Sequence, residues 1–559
     1  MRNKALTRLR SRMIFFLILV LTVPVLSACS VDQDLSVSYF KPYETEAQSS
    51  YLIAVDDDAD TVDFQCTSIF YTAALNSFNR LVEMGVDEDG NEKIIPSLAK
   101  SWEISDDRRT YTFHLTEGVT FSNGLPLTAS DVEYSFTRLL THPDSCNKDI
   151  VECIEGADRL ERGESDHLEG FRVLGDLDFA ITLKEPFEAF LACLTMPGAS
   201  IMNAQTTEEA VDRFGTDPEW TIGTGPFIMK EWRPGKGMIF VANPDCFAGP
   251  PMSEGLDLRF MTDPEEIRLL YEKGDLDILD LDDLGDSAEF FIKGDIYQDL
   301  LYKFNQIGIT YIALNESVEP LNDVRVRKAM QLALNRELLL DAVYCGRGRL
   351  EYGIFPYGLY GFNPDLEEIP FDPEEAVKLL EEAGYPDGFD ITVGVKASST
   401  QLELVLMTLA ASMWEKVGIR ADIKVMSENE FMLLRKGGAL ACYTATWIAD
   451  YNDPDNFIYT FFGNTGNATF RSLCYQDEDI MQRVRDARGI ADPKERLAEY
   501  WDLEKKIVQE DAAWIPLFSR DRYYVVSDRV SGFDATWNGS VKTIYRNFST
   551  GTSQSEDPQ

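Results

Sequence analysis

The chain has 559 residues, of which 44% are hydrophobic and 11% aromatic, and its formal net charge is −43 at pH 7. The apolar content is sufficient for packed cores and excludes a globally disordered chain. An acidic surface of this size repels phosphate backbones and anionic lipid headgroups, which excludes a nucleic-acid-binding protein. The length predicts two or three domains.

The N-terminus carries the pattern of an export signal. Five basic residues precede an apolar stretch at residues 13–26, which is too short to remain as a membrane-spanning helix. The sequence LSAC at residues 26–29 then resembles the lipobox of bacterial lipoproteins. We expect residues 1–28 to be a signal peptide and Cys29 to carry the lipid. An ordinary secretory leader with an incidental cysteine is the alternative.

Polar segments flank the body of the chain. Residues 29–50 are predicted to form a flexible spacer behind the lipid anchor, and residues 549–559 a flexible tail. Because no second apolar run is long enough to cross a membrane, the processed chain is expected to be attached through its lipid alone.

Eight cysteines remain after the lipobox, and they are widely scattered. Only Cys146 and Cys153 are close enough in sequence to suggest a local disulfide in an exported chain, with two free thiols as the alternative. The other six are expected to be buried as small hydrophobic residues. No CxxC pair is present, so neither a zinc ribbon nor a thioredoxin-like site is predicted.

Between the two ends, strand and helix patterns alternate, which predicts an α/β chain. The sequence DEDG at residues 87–90 separates two extended runs and indicates a hairpin. Apolar Tyr111, Phe113 and Leu115 alternate with polar neighbours, which predicts a half-buried strand. The sequence TASD at residues 128–131 resembles a capping box and predicts the start of a helix.

Three more helices are predicted further along the chain. The Asp-Pro pairs at residues 372–373 and 492–493 indicate two helix starts, because the aspartate can cap the helix and proline suits its first turn. Another helix is predicted over residues 324–343. It should bury four side chains on one face, namely Val326, Met330, Ala333 and Leu338.

No cofactor or metal site is predicted. The sequence GTGPF at residues 223–227 lacks the third glycine and the following helix of a dinucleotide site. The acidic run at residues 275–286 lacks the ligand order of a calcium loop. No HExxH or GxSxG motif is present, so an enzyme is not expected. The histidines are His114, His142 and His167.

Five sequence blocks then occur in a fixed order. They are IPSLAKSW and GVTFSNGLPLTASDV at 95–132, GTGPF and NPD at 223–245, VRVRKA at 324–329, DPEEAVKLLEEAGYPDG at 372–388 and WIADYNDPDNF at 447–457. Together they resemble the extracellular solute-binding proteins of family five, which include the oligopeptide-, dipeptide- and nickel-binding proteins of ABC importers. The resemblance extends over the chain from about residue 50.

This resemblance implies a large, two-lobed α/β fold of the periplasmic-binding-protein type II class, with a hinged cleft between the lobes. The first lobe would comprise residues 50–305 plus 520–548, with a subdomain inserted at about 85–210. The second lobe would comprise residues 306–519. Because the chain would cross twice between the lobes, those crossings would act as the hinge.

The function implied is the capture of short peptides and their delivery to an ABC permease. The protein would work as a monomer, anchored by lipid on the outer face of the cytoplasmic membrane, without a cofactor. Within the same family, a nickel chelate, haem or another small solute is the alternative ligand. An exported peptidase or cell-wall hydrolase is the alternative outside the family.

The resemblance also suggests ligand-binding residues. In oligopeptide-binding relatives, the aspartate of the ADYN sequence meets the peptide α-ammonium group, and Asp450 matches that position. A turn-capping role for Asp450 is the alternative. Trp447 is expected in the cleft wall, with a core position as the alternative. Oligopeptide-binding relatives place an arginine three residues before this tryptophan, where the chain has Thr444, so the partner of a ligand carboxylate is left unidentified.

Ligand-binding residues in the N-terminal lobe are harder to predict. The segment FYTAALNSFNR at residues 70–80 supplies three candidates, of which Tyr71 is preferred. Asn76 and Asn79 are the other two. Packing in the core is the alternative for all three.

Overall fold

The computed structural model describes residues 51–56, 58–67, 71–86, 92–399, 401–534, 537–539 and 545–550. The predicted signal peptide, the lipobox cysteine and the spacer lie outside the described residues. So do residues 551–559 of the predicted tail. The first two residues of that tail form a short strand instead.

Twenty strands lie in the described residues. In chain order they are β1 (Tyr51–Asp56), β2 (Val82–Val86), β3 (Glu92–Pro96), β4 (Ala99–Ile104), β5 (Thr110–Leu115), β6 (Phe171–Val173), β7 (Asp178–Thr182), β8 (Phe227–Arg233), β9 (Gly237–Ala242), β10 (Gly255–Phe260), β11 (Ile278–Asp280), β12 (Leu301–Asn305), β13 (Gly308–Leu314), β14 (Gly348–Leu350), β15 (Phe389–Lys396), β16 (Ile419–Met426), β17 (Cys442–Ile448), β18 (Trp514–Val526), β19 (Val530–Ser531) and β20 (Ser549–Thr550).

Sixteen α-helices occur in the same described ranges. They are α1 (Thr72–Ser77), α2 (Ala129–Thr141), α3 (Ala157–Glu161), α4 (Phe190–Cys193), α5 (Ala204–Ala210), α6 (Pro264–Glu272), α7 (Ala288–Lys293), α8 (Val324–Leu332), α9 (Arg336–Tyr344), α10 (Pro373–Glu382), α11 (Gln401–Glu415), α12 (Glu428–Lys436), α13 (Asp455–Phe462), α14 (Thr465–Phe470), α15 (Glu478–Ala487) and α16 (Pro493–Glu504).

A large mixed sheet runs through the chain in the order β16-β15-β17-β13-β18-β11-β1-β10-β9-β8. The long strand β18 joins its two halves. It pairs with β13 through its first residues and with β11 and β12 through its last residues. The predicted lobe boundaries fall between β12 and β13 and inside β18. Residues 49–559 form one contact unit, so the lobes remain a prediction.

A separate four-stranded antiparallel sheet, in the order β4-β5-β7-β6, lies within the predicted insertion. It has its own apolar cluster, in which Phe113 and Phe171 stack on Phe179 with ring centroids 5.3 and 5.1 Å apart. Tyr451, from the other end of the chain, is buried in the same cluster. The insertion therefore packs against the ADYN segment.

The local patterns of the N-terminal half are confirmed. Strands β2 and β3 pair antiparallel as the predicted hairpin, whose turn lies outside the described residues. Tyr111, Phe113 and Leu115 all point into the core from β5, each at most 1% exposed. The Asp131 carboxylate accepts the backbone N–H of Thr128 at 2.9 Å, which closes the capping box at the start of α2.

The predicted helix over 324–343 is wrong in one respect, because the structure divides it into α8 and α9. Asn335 lies at the break, where its side chain accepts the backbone N–H of Leu338 and caps the second helix. The new helix start turns Leu338 outward, so this residue is 47% exposed rather than buried. Val326 and Met330 are buried as predicted.

The two Asp-Pro helix starts are confirmed. Asp372 accepts the backbone N–H of Glu375 at 2.9 Å and caps α10. Asp492 accepts the backbone N–H groups of Lys494 and Glu495, each at 2.9 Å, and caps α16. In both helices the proline occupies the first turn, where no backbone donor is needed.

The predicted Cys146–Cys153 disulfide is absent, since all eight cysteines in the described residues are free. Cys153 packs against the apolar cluster of the insertion, whereas the Cys146 thiol lies 3.7 Å from the carbonyl oxygen of Gln65. Cys146 is exposed. Of the six cysteines expected to be buried, Cys345 is exposed and Cys66 is only half-buried, so the expectation is wrong for these two. Cys345 ends α9, which places it at the surface.

Glu504, at the end of α16, is a buried carboxylate. It is 1% exposed and accepts the backbone N–H groups of Ile354 and Phe355 at 2.7 and 2.8 Å. Burial raises the pKa of Glu504 to about 8, and its backbone donors reduce that rise. The folded chain therefore holds a proton at this position over a pH range in which the unfolded chain, with an ordinary pKa of about 4.3, has released it.

Stability should consequently fall as the pH rises from about 4.5 to about 8. Glu504→Gln keeps an acceptor oxygen but does not titrate, so the variant should gain free energy of unfolding relative to wild type between pH 5 and pH 9. The expected gain is a few kcal/mol, at about 1.4 kcal/mol per pKa unit. Urea unfolding of both proteins at the two pH values measures it. Glu495→Gln, exposed on the same helix, is the control. An equal difference at both pH values would contradict the prediction.

Candidate ligand-binding cleft

A cleft of about 820 Å³ is lined by two distant parts of the chain. One wall comes from residues between 71 and 197, and the other from residues between 447 and 488, with Asn538 at the edge. The three predicted ligand-binding residues, Tyr71, Trp447 and Asp450, all line this cleft. The fold therefore brings together side chains that are remote in sequence.

Asn456 fixes the positions of Trp447 and Asp450. Trp447 lies near the end of β17, Asp450 follows that strand, and Asn456 lies in the first turn of α13. The amide oxygen of Asn456 accepts the indole N–H of Trp447 at 3.2 Å and the backbone N–H of Asp450 at 3.0 Å. Its amide nitrogen donates to the Asp450 carboxylate at 3.2 Å. One carboxamide thus orients both residues.

Three aspartates in the same segment have different environments. Asp453 is 5% exposed, pairs with Arg496 at 2.7 Å and accepts the backbone N–H of Asp455. Asp455 is fully buried, and its carboxylate lies 3.0 Å from Arg488 Nε. In the part of the chain that the structure describes, no cation lies within ion-pair distance of Asp450. Asp453 therefore caps this turn, whereas Asp450 bonds to Asn456 and lines the cleft.

The environment of Asp450 disfavours its charge in the empty cleft. Asp450 is an exposed residue, but the protein around its carboxylate removes part of its hydration, and this desolvation raises the pKa of Asp450 to about 6. The Asn456 amide and the positive charge of Arg471 oppose the rise, whereas Asp149 adds to it. Asp149 and Glu152 also line the cleft, and burial raises the pKa of each. A cation entering the cleft would relieve this cost.

Tyr71 is held at the opposite wall. Its hydroxyl donates to the backbone oxygen of Thr67 at 2.8 Å and lies 3.1 Å from Asn147 Oδ1. The other two candidates of that segment do not line the cleft. Asn76 is fully buried and accepts the backbone N–H of Tyr545, while Asn79 accepts the hydroxyl of Thr224. Both hold the fold together.

Thr444 does not face the cleft either. It is buried in β17, and its hydroxyl donates to the backbone oxygen of Tyr311 at 3.0 Å. Two arginines that the sequence analysis missed do line the cleft. Arg471 lies over the Trp447 ring at 4.5 Å, and Arg488 lies between the rings of Phe187 and Tyr459. No motif marks either arginine, because each reaches the cleft only through the packing of the helices before it.

None of the three histidines lines the cleft. His142 Nδ1 lies 3.3 Å from the thiol of Cys66, but burial and the nearby Asp63 raise the pKa of that thiol to about 12. A nucleophilic cysteine requires the opposite shift. Within the described ranges, no group of three or more His, Cys, Asp or Glu side chains is placed to hold a metal ion. Nor does any helix there have the length and apolarity needed to cross a membrane.

Comparison with known proteins identifies the family. The family model described as bacterial extracellular solute-binding proteins, family 5 Middle, matches residues 93–469. The chain belongs to this family. Among family 5 relatives, the dipeptide-binding protein of Escherichia coli is 28% identical over 469 residues, which cover 80% of this chain and 84% of the relative. Heme-binding protein A of Haemophilus influenzae is 28% identical over 471 residues, which cover 82% and 84%.

Solved structures confirm the predicted α/β fold of periplasmic binding proteins. The periplasmic binding protein DppA from Helicobacter pylori, in complex with the peptide STSA, superimposes with a TM-score of 0.73 at 23% identity, covering 90% of this chain and 99% of DppA. HbpA2 from Haemophilus parasuis superimposes with a TM-score of 0.74 at 26% identity, covering 90% and 100%. As a family 5 member, this chain is a solute-binding protein by fold and by sequence.

Proposed function

We propose that this family 5 protein is the extracellular solute-binding component of an ABC importer, which captures short peptides in the cleft and delivers them to a membrane permease. The observation that carries the proposal is Asp450, which lines the cleft, is oriented by Asn456 and has no ion-pair partner among the described residues. The peptide-binding relatives from Escherichia coli and Helicobacter pylori support the same ligand class.

The chemistry of Asp450 suits a peptide N-terminus. A carboxylate that becomes enclosed when the cleft closes over a ligand needs a partner charge, and every unmodified peptide has one ammonium group at a fixed place. The aromatic walls formed by Trp447, Tyr71 and their neighbours supply apolar area that can accept varied side chains. The ammonium group of the peptide main chain would thus provide affinity, while the aromatic walls accept peptides with different side chains.

Closure of the cleft would couple capture to delivery. The two proposed lobes meet where the chain passes from β12 to β13 and within β18, and these two crossings would form the hinge. A ligand that contacts both walls stabilises the closed form, which the permease then recognises. A ligand with equal affinity for the open and closed forms would signal nothing.

Haem, a nickel chelate or another small solute is the second ligand class within the family. Heme-binding protein A is a relative over most of the chain, which keeps haem as a candidate. In the described part of the chain, however, the cleft has carboxylates and arginines but no histidine in its walls. These charges favour a peptide. No observation favours an exported peptidase or hydrolase.

We also propose that residues 1–28 are removed and that Cys29 carries a lipid, which would hold the protein on the outer face of the cytoplasmic membrane. The lipobox sequence supports this anchor, and the extracellular character of family 5 agrees with it. The processed protein would work as a monomer beside its permease.

A double-mutant cycle tests Asp450. Losing one partner of an enclosed charge pair costs about 2–5 kcal/mol, or about 30- to 5,000-fold in affinity. Asp450→Asn should lie at the lower end of this range, because its amide oxygen still accepts a hydrogen bond. N-acetylation of the peptide that co-purifies with the protein should weaken wild-type binding similarly but the variant much less. Calorimetry on the four combinations measures this, with exposed Asp365→Asn as the control. Additive losses would show that Asp450 does not meet the ammonium group.

The same pairing predicts a pH dependence. Because the pKa of Asp450 is about 6 in the empty cleft, acidification below pH 6 protonates the carboxylate and removes the attraction for an ammonium group. Peptide affinity should therefore fall between pH 7 and pH 5. Calorimetry at both values should find this fall in the wild type and a much smaller one in Asp450→Asn. Equal pH dependence in the two proteins would point to another titrating group.

The anchor is tested by Cys29→Ser. Once residues 1–28 are cleaved, the variant should leave the membrane fraction and appear as soluble, folded protein, because it lacks the acyl chain that is the proposed attachment. Cell fractionation followed by thermal unfolding measures both properties. Retention of the variant in membranes after a high-salt wash would contradict lipid attachment at this cysteine.

A further inference from the structure

A group of cations surrounds Phe470, one of the residues that line the cleft. The ring centroid of Phe470 lies 5.5 Å from the Arg471 guanidinium carbon, 5.4 Å from that of Arg435 and 5.3 Å from Lys436 Nζ. These four residues are called the Phe470 cluster. Phe470 is 40% exposed, and both it and Arg471 line the cleft. Three neighbouring cations are notable in a chain whose net charge is −43.

The cations of the Phe470 cluster lack an acidic partner in the part of the chain that the structure describes. Across the described residues, no carboxylate lies within ion-pair distance of Arg435, Lys436 or Arg471. The Nε atom of Arg435 is buried without a hydrogen-bond partner. The positive charge of Arg471 lowers the pKa of both Asp149 and Asp450, but neither carboxylate lies within ion-pair distance of it. Such a group of cations is costly unless an anion approaches it.

Arg471 is the member best placed to meet a ligand. Its guanidinium also lies over the rings of Trp447 and Phe461, at 4.5 and 5.2 Å, so its plane is held by aromatic contacts. The Tyr443 hydroxyl donates to its backbone oxygen at 2.6 Å and fixes the base of the side chain. A guanidinium held in this way can present two N–H donors to one carboxylate.

We infer that Arg471 binds the carboxylate of the ligand, while Arg435 and Lys436 add positive potential at the same end of the cleft. This inference rests on the proposed function and completes it. The ligand's ammonium group meets Asp450, and its free carboxylate meets Arg471. Arg471 would thereby replace the carboxylate-binding arginine of the oligopeptide-binding relatives, whose position is occupied here by Thr444.

The two charged groups lie near one another in the cleft. Asn456 bonds to both Trp447 and Asp450, and Arg471 lies on the Trp447 ring. The positive charge of Arg471 also opposes the rise in the pKa of Asp450. A short peptide can therefore present its ammonium group to Asp450 and its carboxylate to Arg471.

Carboxylate blocking tests the inference. The probes are a mixed-sequence pool of free tripeptides, the same pool amidated at the C-terminus and the same pool acetylated at the N-terminus. The wild type should bind the free pool at least about 10-fold more tightly than the amidated pool, because one side of a charge pair is lost. Arg471→Gln should bind both of these pools alike, yet still discriminate against the acetylated pool.

A purely structural role for Arg471 would weaken binding to all three pools together. Arg471→Lys should discriminate less than the wild type and more than Arg471→Gln, because lysine keeps the charge but loses the planar pair of donors. Arg420→Gln, exposed on β16 and paired with Asp390, is the control for loss of one positive charge. Thermal unfolding and ligand-induced shifts in melting temperature are measured for each protein.

The outcomes separate the two proposals. If the wild type binds free and amidated pools alike, or if Arg471→Gln still discriminates between them, the carboxylate role of Arg471 is wrong, although peptide capture stands. If the wild type binds none of the pools, peptide capture itself is wrong and the carboxylate role falls with it. If Arg471→Gln fails to fold, the test rests on two measurements. They are the preference of the wild type for the free pool over the amidated pool, and the smaller preference expected of Arg471→Lys.

Discussion

The antiparallel pairing of β18 with strands on both sides is the constraint on which the rest of the structure depends. The first residues of this strand pair with β13, and its last residues pair with β11 and β12. Each pairing fixes one half of the large sheet. Because a single strand takes part in both, the two halves are joined, and β17, which leads to Trp447 and Asp450, pairs with β13 in one of them. Tyr71, Trp447 and Asp450 then line one cleft.

Electrostatics then decides what the cleft can hold. Asp453 and Asp455 are buried beside it, and Arg496 and Arg488 neutralise them. These ion pairs stabilise the segment that follows β17. Because their charges are already neutralised, they do not attract a charged ligand. Asp450 and Arg471 differ, because among the described residues the carboxylate of the first bonds to a neutral amide, and the guanidinium of the second contacts aromatic rings and lies near another cation. The cleft, which Asp149 and Glu152 also line, thus offers both an acidic and a basic group to a zwitterion.

The same segment combines rigidity with access. Asn456 belongs to α13, so its orientation is set by a helix that packs into the core of the C-terminal half. The hydrogen bonds of its carboxamide hold Trp447 and Asp450 in place, although both residues lie near the end of β17. Fixed side chains lose little conformational freedom when a ligand arrives. Tyr451, buried in the core of the insertion, ties the neighbouring backbone to the opposite wall.

By itself, the sequence determined the features that depend on near neighbours in the chain. Asp372, Asp492 and the Thr128 capping box could be predicted because a helix cap involves residues three positions apart. The family blocks gave the fold class and pointed to Asp450, because the motif lies on one continuous segment. Where two local signals competed, as at Asn335, the capping signal prevailed over the apolar periodicity and turned Leu338 outward.

Only the tertiary structure decided how distant charges pair. The sequence contains many aspartates and arginines, and nothing local distinguishes Asp453, which meets Arg496, from Asp450, which meets no cation in the described residues. The Phe470 cluster, including Arg471, could not be predicted from the sequence for the same reason, since Phe470 and Arg435 come together only when α12 and α14 pack. Cys146 and Cys153 show the converse, because closeness in sequence did not place their thiols together. Electrostatic and covalent partners depend on distance in space, which the order of residues does not specify.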